Sequence, residues 1–198
     1  MKNKSTIKIN KVTTKSGDTG YTMIGDLSKV KKNTPRIRAL ASVDMVSSAL
    51  ALYLEFSNNK NKEINKLLKT IQHQLFDLGA DLSLPIKKSE QDKIRIDQNY
   101  IIYLEKYTKK VNKKLKNINS FTLPASGKDS ALLHNLRTNI RIAELDTWTA
   151  INENNETYNN LTAIYLNRLS DLVFVLSRAV SKKEQLWVPG LKNEKYNK

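Results

Sequence analysis

Long stretches of this chain contain neither glycine nor proline, and this distribution constrains its fold more than any other feature. Only 6 glycines and 4 prolines occur among 198 residues, and three of the glycines fall together within residues 17–25. An all-β domain needs many turns and therefore many turn residues, whereas long helices exclude both residue types. The sequence therefore predicts an all-α protein with an irregular N-terminal segment.

The apolar residues inside the uninterrupted blocks recur with helical spacing. Ile64, Leu68, Ile71 and Leu75 follow one another at gaps of three or four, which places them on one helix face. The same pattern in the other blocks predicts five helices, at residues 39–57, 61–82, 98–116, 129–154 and 158–182. Each would be about 30 Å long. Helices of matched length with short links are typical of an antiparallel bundle in one domain.

The positive charge of the chain is unevenly distributed. The formal net charge is +15, and residues 1–38 carry ten lysines and arginines against two aspartates. Residues 106–116 add six lysines and no acidic residue, and residues 182–198 add a smaller excess. We therefore divide the domain into an N-terminal extension (1–38), a helical bundle (39–190) and a tail (191–198). A basic helical bundle that binds nucleic acid stays open as a hypothesis at this point.

The absence of cysteine excludes several classes of protein. Disulfide scaffolds, cysteine zinc sites, iron–sulfur clusters and thiol nucleophiles all need that residue. No window approaches about 18 consecutive apolar residues, so we expect no membrane span, and the N-terminus lacks the apolar region of a secretory signal. We expect a cytoplasmic protein. Neither histidine follows a glutamate at the di-iron spacing, and no HExxH or Ser–His–Asp order is present.

The glycine-rich segment TKSGDTGYT, Thr14 to Thr22, is the first candidate site. Glycines between hydroxyl side chains and a lysine can present backbone N–H groups to a phosphate. The segment matches neither a Walker A loop nor a dinucleotide fingerprint, so a plain surface turn is the alternative. Lys32 follows a few residues later, and a lone lysine is ordinarily a solvated charge.

The predicted helix 129–154 carries the second candidate. It is expected to begin at Asp129 or Ser130, which are good N-caps. Its polar residues His134, Arg137, Arg141 and Glu144 are spaced by three, four and three, so they share one stripe. Two arginines on such a stripe suit a polyanion, because the planar guanidinium binds phosphate with paired hydrogen bonds. The alternative is the wet face of an amphipathic helix.

Two further segments combine polar or aromatic residues with apolar surroundings. YLNRLSDL places Asn167, Arg168 and Asp171 inside an otherwise apolar helix, where such residues either have partners or serve a function. FTLPASG places Phe121 directly before the arginine-containing helix. The alternative for Phe121 is an ordinary core residue on a connecting loop.

These segments occur in an order that resembles the PduO-type ATP:cob(I)alamin adenosyltransferases, over about Thr14 to Gly190. The matching pieces are TKSGDTGYT, KNTPR, SVDMVSSALAL, IQHQLFDLGADL, FTLPASG, ALLHNLRTNIRIAEL, YLNRLSDLVFVLSR and LWVPG. The resemblance implies a five-helix bundle that assembles as a homotrimer with active sites between subunits. It implies transfer of the 5′-deoxyadenosyl group of ATP to the cobalt of reduced cobalamin, with release of triphosphate. ATP and cobalamin would be the substrates, and Mg²⁺ would accompany ATP.

The resemblance also implies roles for individual residues. Arg137, Asp44 and Phe121 would be catalytic; Asp44 would pair with Arg137 across the subunit interface, and Phe121 would pack against the lower face of the corrin. Arg168 and Asp171 would lie at the cobalamin side. The residues implied for ATP are Thr14, Lys15, Ser16, Gly17, Asp18, Gly20, Lys32, Arg137, Arg141, Glu144 and Asn167. A cobalt nucleophile also accounts for the missing protein nucleophile.

The implied partners are a reductase that supplies Co(I) and an acceptor enzyme that uses adenosylcobalamin, with neither membrane nor nucleic acid. A non-catalytic carrier of adenosylcobalamin is a further alternative. Some positions depart from the pattern of the family: Arg38 replaces an acidic residue, and the others are Met45, Ser47, Ala125, Ser126 and Ile142. Because the central residues are retained, we expect an active enzyme.

Overall fold

The computed structural model describes residues 13, 15–58, 61–86, 94–124, 127–153 and 158–190. Within them the chain forms five α-helices and two short β-strands, which confirms the predicted all-α bundle. The elements are β1 (Tyr21–Met23), β2 (Lys29–Lys31), α1 (Pro35–Phe56), α2 (Lys62–Ser83), α3 (Gln98–Asn112), α4 (Lys128–Glu153) and α5 (Leu161–Ala179).

The helix boundaries differ from the predicted ones by a few residues. Helix α1 begins at Pro35 and not at residue 39, because proline fits the first turn, where its missing N–H is not needed. Helix α3 ends at Asn112. Asp129 lies in the first turn of α4, so it is not the N-cap, and its carboxylate accepts a hydrogen bond from Asn58 N at 2.9 Å. This bond joins the end of α1 to the start of α4.

The core lies between helices that pack antiparallel to their neighbours, except that α3 and α5 run parallel, since Tyr100 lies against Tyr165 and Glu105 pairs with Arg168. Helix α1 packs on α2 and α4, and α5 packs on α3 and α4. The buried apolar residues come from all five helices, and Tyr53 and Tyr165 are the largest fully buried side chains. The hydroxyl of Tyr165 donates to Gln74 Oε1 at 2.9 Å, so the polar end of this core residue is satisfied.

The bundle has two distinct ends. At the first, which we call the loop end, α1 begins and α2 ends, and Arg36 Nε donates to Leu82 O at 3.0 Å. At the second, which we call the aromatic end, α4 begins near the end of α5, and His134 Nε2 lies 3.3 Å from Ser177 Oγ. The two ends carry different groups of the predicted site residues.

The N-terminal segment contains a hairpin that the sequence did not predict. Strands β1 and β2 pair antiparallel, with Tyr21 opposite Lys31. Gly25 in the turn packs against the end of α2, where a Cβ would lie 2.7 Å from Ser83 Oγ. A side chain at position 25 would therefore displace the hairpin, which explains how a short two-stranded element is seated on the bundle.

Among the described residues, α1 is the one helix that is long and apolar enough to cross a membrane, by length and composition only. Its most apolar window has a mean hydropathy of 1.4 and is 44% buried inside the bundle. A helix packed between α2 and α4 needs the same apolar composition for its core-facing side.

Candidate functional site

The glycine-rich segment forms a compact turn before the hairpin. Lys15 has a positive φ of 59°, Asp18 N donates to Lys15 O at 3.3 Å, and Gly20 N donates to Gly17 O at 3.2 Å. Ser16 also lies in this turn, whereas Thr14 lies outside the described residues. Consecutive turns of this kind gather backbone N–H groups on one side of the chain.

The ammonium group of Lys32 lies directly against this turn. A Cβ at position 17 would lie 2.7 Å from Lys32 Nζ, and Lys32 N donates to Gly20 O at 2.9 Å. The lysine that seemed isolated in the sequence is therefore part of the loop, because the hairpin folds it back. A positive charge beside glycine backbone can hold an anion.

Asp44 lies exposed on α1, in the groove between α1 and α2. The groove encloses a cavity of about 290 Å³ that Phe76, Gly79 and Ser83 also line. Since Ser83 is in contact with the hairpin at Gly25, the loop and Asp44 lie on the same side of the bundle.

Arg137 lies half-buried in the groove between α4 and α5. Its guanidinium carbon is 5.2 Å from the ring centroid of Phe174, which is a cation–π distance. Burial lowers the pKa of Arg137, Arg141 lowers it further, and Asp171 opposes the shift. Arginine stays protonated despite such shifts. The groove therefore holds a partly desolvated positive charge. The contact with the Phe174 ring limits the movement of the guanidinium.

Asn167 and Glu144 face each other about two helical turns further along this groove. Asn167 Nδ2 donates to Glu144 Oε1 at 3.0 Å, and Arg168 donates to Asn167 Oδ1 at 2.9 Å. Arg168 Nε also pairs with Glu105 Oε1 at 2.8 Å. The structure thus brings the predicted polar residues of α4 and α5 together, and their partners orient the amide of Asn167.

Phe121 is not a core residue, so that alternative was wrong. Its side chain is 77% exposed, and its ring centroid lies 6.2 Å from that of Trp187. Both rings line a cavity of about 610 Å³ whose wall also includes Arg137 and Phe174. An exposed aromatic pair beside an arginine can bind a large, flat, partly apolar molecule next to an anion.

His134 lies deeper in the bundle than the other residues of its stripe. It is only 8% exposed, and it contacts Ser177 and the edge of Phe174. Burial lowers the pKa of His134, and the charge of Arg137 adds to the effect. His134 is therefore a neutral, buried residue beside Arg137, and it lines the same cavity as Arg137 and Phe174.

Trp187 and Phe174 are cavity residues that the motif analysis did not single out. Phe174 looked like one more apolar residue of a core helix. Trp187 lies after the last helix, where no periodicity exists, and a tryptophan followed by Val-Pro-Gly outside any helix was the available signal.

Arg38, which replaces an acidic residue of the family pattern, has a partner of opposite charge. Its Nε lies 2.9 Å from Oδ1 of Asp146 on α4, and Ser42 donates to the other carboxylate oxygen at 2.5 Å. The reversed charge is thus compensated within the chain. Ala125 and Ser126 lie outside the described residues.

The predicted site residues fall into two half-sites. The first comprises residues 15–20, Lys32 and Asp44 at the loop end and in the α1–α2 groove. The second comprises the α4–α5 groove with Arg137, and Phe121 at the aromatic end. Within one chain Asp44 and Arg137 line separate cavities, so their pairing stays a prediction.

A helical bundle in which an arginine-lined groove adjoins an exposed aromatic pair has the groups that a protein needs to bind a nucleotide beside a large planar ligand. The profile of the cobalamin adenosyltransferase family matches residues 12–180. The corrinoid adenosyltransferase of Mycobacterium leprae is 41% identical over 189 residues, covering 93% of this chain and 98% of the relative. The corrinoid adenosyltransferase of Homo sapiens is 31% identical over 182 residues, covering 90% and 72%.

Solved structures show the same likeness. A phenylalanine-to-alanine variant of the PduO-type ATP:corrinoid adenosyltransferase from Lactobacillus reuteri, complexed with cobalamin and ATP, matches with a TM-score of 0.82 at 28% identity. That match covers 89% of this chain and 99% of the other. An arginine-to-lysine variant of the same enzyme, complexed with ATP, gives a TM-score of 0.80. The chain belongs to the cobalamin adenosyltransferase family.

Proposed function

We propose that this corrinoid adenosyltransferase transfers the 5′-deoxyadenosyl group of ATP to the cobalt of reduced cobalamin. The observation that carries the proposal is the shared cavity of Phe121, Trp187 and Arg137. It offers an apolar face for a corrin and a cation for a phosphate chain within one enclosure.

The chemistry needs no protein nucleophile. The cobalt of cob(I)alamin supplies an electron pair to C5′ of ATP, the cobalt–carbon bond forms, and the C5′–O5′ bond breaks. The released electron pair stays on the triphosphate, so negative charge grows at the phosphate end. Arg137, Arg141 and Lys32 would stabilise that charge, and this is the largest contribution that preorganised groups make to such a step.

On the corrin side, the proposed contribution of the protein is to exclude the lower axial ligand of cobalt. Phe121 and Trp187 present apolar rings with no ligand atom for cobalt. A corrin whose lower face packs against them would lose its lower axial ligand. Cobalt without that ligand is easier to reduce, since axial ligation sets the potential of a macrocyclic metal centre.

We propose that magnesium enters with ATP and is held by the phosphate oxygens of the nucleotide. The described residues contain no group of three or more His, Cys, Asp or Glu around which a protein metal site could be built. Asp18 and Glu144 are single carboxylates, and we assign neither of them a metal.

We propose a homotrimer in which the loop half-site of one copy meets the arginine half-site of the next. The separation of Asp44 and Arg137 within one chain supports this arrangement. Exposed apolar side chains outside the cavity support it too, because such surfaces are commonly buried in an assembly; they are Met45, Leu52, Phe56, Phe76, Ile142 and Leu145. Light scattering of the purified protein would give the mass directly.

We further propose that the protein works in the cytoplasm, receives Co(I) from a reductase and hands adenosylcobalamin to an acceptor enzyme. Co(I) is strongly reducing, so a reducing compartment suits it. Fractionation of the source cells and co-purification under reducing conditions are the tests.

One assay tests the central proposal. The protein is incubated with ATP, Mg²⁺ and chemically reduced cobalamin, and the absorption spectrum is followed for adenosylcobalamin. We expect its formation to depend on both substrates and to release triphosphate. A wild-type protein that binds neither ATP nor cobalamin, but retains RNA at physiological salt, would favour the nucleic-acid alternative.

A further inference from the structure

Phe121 and Trp187 are joined through their backbones in a small two-stranded arrangement. We call residues 120–123 together with 185–187 the aromatic ribbon. Its contacts are an antiparallel bridge between Thr122 and Leu186, and hydrogen bonds from Leu123 N to Gln185 O at 2.8 Å, from Trp187 N to Phe121 O at 2.7 Å and from Ser120 Oγ to Trp187 O at 2.7 Å. The two exposed rings therefore have one common support.

Arg178, in the last turn of α5, ties this support to the bundle. Its Nε and one terminal nitrogen contact both carboxylate oxygens of Glu184, at 2.5 and 3.3 Å. The same terminal nitrogen donates to Lys116 O at 2.6 Å. Glu184 immediately precedes one strand of the aromatic ribbon, and Lys116 lies a few residues before the other. The guanidinium of Arg178 thus binds the chain segments that lead into both strands of the aromatic ribbon.

The burial of this pair makes it strong and specific. The side chain of Arg178 is 6% exposed and that of Glu184 is 28% exposed. A two-pronged contact of this kind is stronger than a neutral hydrogen bond, and a lysine cannot reproduce its geometry. If one partner is removed, a charge stays buried without compensation.

Neither residue lines the cavity that holds Arg137. Arg178 and Glu184 instead line a much smaller cavity together with Gln185, Thr122 and His134, and the last two also line the large cavity. Any effect that they have on a ligand in the large cavity must therefore pass through neighbouring residues, of which Thr122 belongs to the aromatic ribbon.

We propose that Arg178 and Glu184 are positioning residues for the corrin: their ion pair fixes the aromatic ribbon so that Phe121 and Trp187 face the cavity together. The role rests on the proposed function, because it assigns the cavity to cobalamin. The proposal assigns a part in that function to two residues that do not touch the substrate. It also predicts that the ion pair affects corrin binding and not ATP binding.

The structural part of the proposal is tested without any substrate. The chain has 2 tryptophans, Trp148 and Trp187, so Trp148→Phe leaves Trp187 as the sole tryptophan, which long-wavelength excitation selects over the 8 tyrosines. In that background we compare Glu184→Gln and Arg178→Lys with Glu63→Gln, which removes the exposed ion pair with Lys110 elsewhere at this end of the bundle. Relative to the Trp148→Phe background, acrylamide should quench Trp187 more strongly in Glu184→Gln and Arg178→Lys. The quenching in Glu63→Gln should equal that of the background.

The functional part is tested with the same variants and the two substrates. We expect the KM for cobalamin to rise about tenfold in Glu184→Gln and Arg178→Lys, with the KM for ATP unchanged within about twofold. The spectrum of bound Co(II) cobalamin should also shift toward that of Phe121→Ala, whereas Glu63→Gln should match the wild type. If Arg178→Lys does not fold, Glu184→Gln alone decides the outcome, because Glu184 lies outside the helices.

Several results would overturn the role. Unchanged quenching of Trp187 in Glu184→Gln shows that the ion pair does not hold the aromatic ribbon. Stronger quenching with an unchanged KM for cobalamin shows that the position of the aromatic ribbon does not govern corrin binding. Equal losses for ATP and cobalamin point to general destabilisation. A wild type that forms no adenosylcobalamin overturns the proposed function as well, and the wild-type control identifies that case.

Discussion

Arg137 is the residue on which the proposed chemistry depends most. Its guanidinium is held over Phe174, and the charge of the exposed Arg141 acts on it from the same helix. We expect Arg137→Ala to lower adenosylcobalamin formation by at least about 100-fold, because a preorganised cation at the departing triphosphate is lost. The measurement is turnover under reducing conditions, with circular dichroism to confirm the fold. Arg137→Lys should recover part of the loss, and near-normal turnover in Arg137→Ala would remove the residue from the mechanism.

His134 should make folding stability depend on pH. Because burial and Arg137 lower the pKa of His134 in the folded state, the unfolded chain binds the proton more readily. The contribution of neutral His134 to folding stability is fully present above the ordinary histidine pKa of 6.5. It is lost as the pH falls through the lowered pKa of His134 in the folded state. Urea unfolding between about pH 7.5 and 5 should therefore show falling stability in the wild type. His134→Gln should flatten this dependence, and His73→Gln, at an exposed position on α2, should not.

The residues of the site differ in how far the sequence could predict them. Helical spacing placed Arg137 and Glu144 on one stripe, and the structure keeps them in one groove with Asn167. The same spacing included His134, which is buried. Periodicity predicts which side of the helix a residue faces, but it does not predict how far a neighbouring helix covers that side. Trp187 was missed because its partner Phe121 is fixed by backbone pairing between distant segments.

Among the elements, the contact between α1 and α4 near the loop end offers the clearest stability test. Asp146 is 8% exposed and accepts from Ser42 as well as from Arg38, whose side chain is 74% exposed. Asp146→Ala should lower the free energy of unfolding by about 2 kcal/mol, since it leaves the buried Ser42 hydroxyl unpaired. Arg38→Ala should cost less than about 1 kcal/mol, because exposed ion pairs contribute little. Urea unfolding at constant m measures both, and equal losses would contradict this ranking.

The five helices followed from apolar spacing, but what joins them did not. Asp81 is 1% exposed and accepts hydrogen bonds from Arg95, Ile96 N and Asn159 at 2.7–2.8 Å, so it connects the end of α2 to the starts of α3 and α5. In the sequence it looks like an ordinary polar residue of a surface helix. Its role depends on partners 14 to 78 residues away, and no local pattern encodes such contacts.

For the whole molecule, the basic residues behind the net charge of +15 fall into two groups with different roles. Lys32 and the α4 arginines lie where the nucleotide phosphates are proposed to bind. The lysines of residues 106–116 lie at the end of α3 and beyond, and Lys110 pairs there with Glu63. They line neither the α1–α2 groove nor the cavity of Phe121, so we interpret them as a solvated face.

The separation of the half-sites gives the whole assembly a property that no single chain has. Asp44→Ala and Arg137→Ala each remove one half-site, so each variant alone should be nearly inactive. Refolding the two together in equal amounts should restore roughly a quarter of wild-type activity, because chance pairing joins an intact loop half-site to an intact arginine half-site at that frequency. Mixing either variant with itself is the control. A mixture as inactive as its parents would mean that Asp44 and Arg137 act within one chain or that the copies do not share a site.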